Sequence, residues 1–177
     1  MTQSEIYNSS GERIDYTFHP GTRMGSLVVI GHGVTGNKDR PHLVAIAEGL
    51  AKLGWPCLRI SFSGNGESEG SFTSSCITKE IGDLQAVLAT VPNEVRVSHL
   101  GHSMGAAVGV LTAAIDLRIR VLISLAGMTH TAAFVERESA KWFPVTAACG
   151  RMKIVSFPKS MSMICGKLKA RFLLPRG

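Results

Sequence analysis

No stretch of this sequence reaches the roughly 18 consecutive apolar residues of a membrane-spanning helix, and its opening, MTQSEIYNSSGERIDYTF, has no basic segment followed by an apolar one. Neither a span nor a secretory leader is expected. A reducing cytoplasm is the default setting, in which the Asn8-Ser9-Ser10 sequon stays idle. Cysteine is scarce: Cys57, Cys76, Cys149 and Cys165 form no C-x-x-C pair and have no ligand-spaced histidine, so neither zinc nor a disulfide framework is expected. Internal repeats and low-complexity linkers are also missing. Acidic side chains are absent after residue 140.

What is present is a chain of 177 residues, 45% apolar and 18% charged, the balance of a globular domain long enough to bury a core. Its net charge of +6 is unevenly placed. Residues 1–140 carry 11 basic and 13 acidic side chains, a net −2, whereas residues 141–177 carry eight basic and no acidic ones. The charge marks a seam between a body and a basic tail, and no nucleic-acid partner is expected.

Short apolar runs alternate with segments of helical period. Residues 26–32 (SLVVIGH) read as a buried strand, and residues 41–54 then align Leu43, Ile46, Ala47, Leu50 and Leu53, with Gly54 as a stop. The unit recurs as a strand at 56–62 and a helix at 79–91 that aligns Ile81, Leu84, Leu88 and Val91. It recurs again as a strand at 94–101, a helix at 104–115 and a strand at 120–127. Such alternation predicts an α/β fold, a mostly parallel sheet with helices on both faces. RIDYTF, before residue 26, is read as an antiparallel edge strand.

Where the third strand meets its helix the chain reads Gly101-His102-Ser103-Met104-Gly105, a G-x-S-x-G turn. A tight strand-to-helix turn needs small residues on either side, and it lifts the serine hydroxyl above the carboxyl edge of the sheet. Ser103 is therefore the candidate nucleophile. The Met104 N–H, at a helix amino terminus, is a candidate oxyanion donor. The loop His32-Gly33-Val34-Thr35-Gly36-Asn37 opens at the same edge and offers a second donor, Val34 first and Gly33 next. His32 is expected to shape that loop through backbone hydrogen bonds. A third loop, residues 63–70, is rich in glycine but lacks the G-K-[ST] ending of a phosphate loop, so it is read as a tight turn.

These residues resemble the α/β-hydrolase superfamily, in particular its branch of acylglycerol lipases, esterases and serine aminopeptidase-like hydrolases. GHGVTGNKDRPHL is similar to that branch's oxyanion loop, LRISFSGNGESEG to its R-x-D-F-x-G-x-G-x-S-x-G segment, and LGHSMGAAVG to its nucleophile elbow. The resemblance covers about residues 20–138. It departs at Ser61, where the family usually has Asp. It implies acyl transfer to water through a covalent acyl-Ser103, with Val34 and Met104 as oxyanion donors and no metal or organic cofactor. The implied partner is a small-molecule acyl substrate: an ester, a lipid or a peptide-like compound.

The family's triad continues with an acid and then a histidine after the serine. Here only one Asp and one His follow Ser103, namely Asp116 and His130. Twelve helical residues at about 1.5 Å each carry Asp116 roughly 18 Å from the serine, which excludes it as the triad acid. His130 starts on the catalytic edge, but the family begins its lid there, so it is read as a polar residue of a cap or loop, with general base as the alternative. Loss of a triad histidine costs on the order of 10⁶ in kcat, about 8 kcal/mol of barrier. The expected protein is thus a serine hydrolase by descent, impaired because triad acid and histidine are missing. Its core would occupy residues 1–140, the amino-terminal portion of the fold without its late strands. Residues 141–177 are read as an altered or shortened carboxyl terminus. Two other readings of the tail are a membrane- or partner-binding segment, in which Ile164, Leu168 and Phe172 interleave with Lys167, Lys169 and Arg171, and a surrogate strand at 152–157. The alternatives for the whole chain are a competent enzyme using His130 and a non-catalytic binding or regulatory protein.

Overall fold

A computed structural model describes residues 5–128. Two two-residue strands, β1 (Ile6–Tyr7) and β2 (Arg13–Ile14), pair as an antiparallel ribbon. They precede β3 (Tyr16–His19), β4 (Ser26–Gly31), α1 (Pro41–Lys52), β5 (Cys57–Ile60), α2 (Ile77–Ala89), β6 (Arg96–His102), α3 (Met104–Ala113) and β7 (Ile119–Leu125). The second sheet runs β3-β5-β4-β6-β7, with every neighbour parallel except β3. This is the fold class the alternation predicts. The edge-strand expectation holds in part: residues 16–19 pair antiparallel with β5, but residues 13–14 leave the sheet to pair with β1.

Period two in β4 explains how helices cover both faces. Val28 and Ile30 point to the α1 side and pack with Leu43, Ala47, Cys57 and Leu100, whereas Val29 points to the other face and joins Leu84, Val87, Leu88 and Val108 of α2 and α3. Each fully buried side chain of this size stabilises by about 1.5–3 kcal/mol, so the central strands anchor the sheet. The α1 stripe is shorter than the sequence implies. Leu53 is 69% exposed because the helix ends at Lys52 and the chain reverses at Gly54, whose φ of +87° favours glycine. Among the described residues β7 pairs only with β6, and its Val121 is exposed. No described helix is long and apolar enough to cross a membrane.

Candidate functional site

Gly31 of β4 and Gly101 of β6 are register partners, so the loops after these strands leave the sheet side by side at its carboxyl edge. Ser103 is the single residue between β6 and α3, with φ +52° and ψ −112°. A non-glycine residue there carries strain of about 1–3 kcal/mol that its surroundings must hold. The Ser103 N–H donates to Leu125 O (2.9 Å), and the Ser103 carbonyl accepts from Ala106 N–H (3.2 Å) and Met128 N–H (3.1 Å). The flanking glycines are required by contact. A Cβ on Gly101 would lie 2.3 Å from Gly105 backbone atoms, and one on Gly105 would lie 2.5 Å from His32 O. No described residue hydrogen-bonds the Ser103 hydroxyl.

The loop after β4 closes over this turn. A Cβ on Gly33 would sit 3.0 Å from Ser103 Cβ, so the loop backbone lies directly against the serine. Neither the Val34 nor the Met104 N–H has a hydrogen-bond partner among the described residues, and a donor to an oxyanion must be free in this way. The loop is braced internally. Gly36 N–H donates to Gly33 O (3.0 Å), Thr35 Oγ1 to Val34 O (2.7 Å) and Arg40 Nη2 to Thr35 O (2.8 Å), which holds Thr35 at φ +55°.

His32 shapes the loop as expected. It is fully buried, and its Nε2 accepts from Phe62 N–H (2.9 Å), which leaves the proton on Nδ1 to be donated to Gly33 O (2.7 Å). Burial pulls its pKa down to about 4, so the ring stays neutral. The 63–70 loop is likewise a tight turn. Most of its N–H groups are consumed internally or nearby, Ser63 by Asp83 Oδ2, Gly64 by Glu69 O, Asn65 by Phe62 O, Ser68 by Asn65 O and Glu69 by Arg13 O. Ser61, where the resemblance departs from Asp, is buried, and its Oγ accepts the Lys38 N–H (3.1 Å).

The structure sets Gly33, the neighbour of Val34, against Ser103, the neighbour of Met104, and leaves Asp116 apart. Asp116 follows α3, whose 10 residues rise about 15 Å from the serine, and it is bound to Arg118 (Oδ2 to Nη2, 2.6 Å). His130 and the 141–177 tail lie outside the described residues.

Sequence reasoning missed several polar groups around the turn. The His102 ring packs edge-on against His42, centroids 4.6 Å apart, and burial, with the positive fields of His42 and Arg40, lowers its pKa. His99 is buried beneath α3, with Nε2 3.0 Å from Gly105 O. Glu80 and Asp83 are buried on α2; Asp83 accepts from Ser63 N–H and Asn8 Nδ2 (both 2.8 Å). A signal existed for two of these: Glu80 shares the helical stripe of Leu84, Val87 and Leu88, and His99 interrupts an apolar strand. Among the described residues no group of three or more His, Cys, Asp or Glu side chains is placed to hold a metal.

Known structures share this fold. The chain superposes on Est1E from Butyrivibrio proteoclasticus with ferulic acid bound (TM-score 0.65, 26% identity, 77% of this chain and 57% of that one). It also superposes on XC6422 from Xanthomonas campestris, described as an a/b serine hydrolase without lid (0.59, 25%, 68% and 58%). The Pyrococcus furiosus esterase Pf2001 shares the fold as well (0.66, 21%, 83% and 57%). The chain thus spans less than two thirds of the length of these structures. No curated protein matches it in sequence. Residues 26–172 match the family model described as alpha/beta hydrolase fold, and the chain belongs to that family.

Proposed function

We propose that the protein is a serine hydrolase of esterase, lipase or aminopeptidase-like type that transfers acyl groups through Ser103, with slow turnover. The observation that carries this reading is the strained Ser103 at the strand-to-helix turn, with the Gly33 backbone against it and the Val34 and Met104 N–H groups free. Ser103 Oγ attacks the substrate carbonyl carbon, forming the Oγ–C bond while the carbonyl oxygen takes the negative charge. That charge falls to the Val34 and Met104 N–H groups, with Gly33 as the neighbouring donor. As the C–O bond of the ester breaks, the alcohol leaves with the proton from the serine. Water then attacks the acyl-serine, the acid departs and the hydroxyl is restored. A carboxylic ester is the favoured substrate class, in keeping with the ferulic acid held by Est1E and the esterase name of Pf2001.

The slow turnover rests on the expectation that the triad acid and histidine are missing, and among the described residues no histidine hydrogen-bonds the Ser103 hydroxyl. The nitrogens of His32 are committed to the Gly33 carbonyl and the Phe62 N–H, and His99 faces Gly105 O. Labelling with a fluorophosphonate tests this. Covalent labelling is expected, slow compared with a complete triad, abolished by Ser103→Ala and unchanged by His130→Ala. Folded protein that never labels overturns the reading. Rapid labelling lost in His130→Ala replaces the impaired enzyme with one that uses His130 as base.

A further inference from the structure

We infer that His99 is a positioning residue for Ser103, acting through the peptide between Gly105 and Ala106; this rests on the acyl-transfer reading of Ser103 proposed above. That peptide is held at both ends. Its carbonyl, on Gly105, lies 3.0 Å from His99 Nε2, and its N–H, on Ala106, donates to the carbonyl of Ser103. A carbonyl oxygen only accepts, so Nε2 carries the imidazole proton and His99 is the donor. One side chain of β6 thereby grips the first turn of α3, and that turn grips the strained serine.

The surroundings are arranged for this ring at some cost. Gly109 on α3 has no room for a side chain, since a Cβ there would lie 2.1 Å from His99 Cδ2. Among the described residues Nδ1 is left buried with no partner, which an apolar residue at the same place would avoid. Filling space therefore does not account for a histidine here, whereas donating to Gly105 O does. The ring is fully buried and stays neutral, so its single donor keeps the same direction across the physiological range.

The experiment compares His99→Phe, which fills the space without a donor, with His99→Gln, whose side-chain N–H reaches about as far as Nε2. His99→Leu is the second donorless variant should the Phe protein fail to fold. Two quantities are read on folded protein: fluorophosphonate labelling, resolved into its maximal rate and half-saturating concentration, and hydrogen exchange of the amides of residues 103–107. In the donorless variant the maximal rate is expected to fall at least tenfold, about 1.4 kcal/mol of barrier, with the half-saturating concentration unchanged. Exchange at Ala106 is expected to accelerate, and His99→Gln to restore most of both. Wild-type labelling and exchange in the donorless variant overturn the inference, as does an equal loss in the Gln and donorless proteins. If folded wild type does not label, the acyl-transfer reading fails, and unchanged exchange in the donorless variant then removes the tether as well.

Discussion

Gly33 lies so close to Ser103 that a β-carbon on it would sit 3.0 Å from the serine Cβ and 3.2 Å from His102 Nδ1. Gly33→Ala therefore pushes the loop off the turn, where a shift of a few tenths of an ångström misaligns the Val34 donor. Labelling of Ser103 is expected to slow by tenfold or more, while the urea midpoint changes little. An unaltered labelling rate counts against this loop as half of the oxyanion site.

The backbone of Ser103 stores strain that a glycine in its place would not carry. Ser103→Gly is expected to be more stable than Ser103→Ala by about 1 kcal/mol, the relief of φ +52° less the extra chain entropy of glycine. Both variants lose labelling. Urea unfolding of the pair provides the check, and equal midpoints would falsify the claim of strain.

Stability is expected to rise with pH up to about 6.5 and to level off above it. Burial lowers His32 and His99 from 6.5 to about 4, so the unfolded chain binds more protons in that interval and stability falls as the pH drops through it. Burial raises Glu80 from 4.5 to about 7, assisted by the charge of Asp83 and opposed by the Ser75 hydroxyl and Lys79. A raised carboxyl works in the opposite sense: its contribution is full below pH 4.5 and is lost as pH rises to 7. Below pH 6.5 the two histidines outweigh the one carboxyl; between about pH 6.5 and 7.5 the remaining histidine and carboxyl contributions nearly cancel. Glu80→Gln should steepen the acid limb, because the opposing carboxyl is gone, and make the variant more stable than wild type at pH 8 by up to about 3 kcal/mol. Urea midpoints at pH 5, 6.5 and 8 read this directly.

Asp116 is expected to matter for stability and not for chemistry. It holds the Arg118 guanidinium, which also donates through Nη1 to Leu88 O (2.6 Å) and so ties the end of α2 to the approach to β7. Asp116→Asn should lower stability by about 1–2 kcal/mol and leave the Ser103 labelling rate at the wild-type value. A slowed rate at unchanged stability would reverse that assignment.

Much of the fold was legible because apolar period encodes it locally. The runs at 26–32, 56–62, 94–101 and 120–127 become β4 to β7, and Gly54 ends α1 at a left-handed φ. The serine turn was legible too, since G-x-S-x-G between a strand and a helix has few other uses. The end of the α1 stripe before Leu53 and the break of RIDYTF into two strands are not legible, because the turn after Lys52 and the kink between residues 14 and 16 leave no mark in hydropathy.

The sequence alone determined which residues can bury and where the chain must turn, because side-chain volume, branching and the freedom of glycine act over a few neighbours. It thereby determined the alternating α/β order and the serine at a strand end. Tertiary structure decided what those residues meet. Only the register of Gly31 with Gly101 sets Gly33 against Ser103, and only the packing of α3 on β6 places His99 under Gly105. Burial, a property of the whole fold, then makes His32 and His99 lasting neutral donors and makes Glu80 a group that titrates near pH 7.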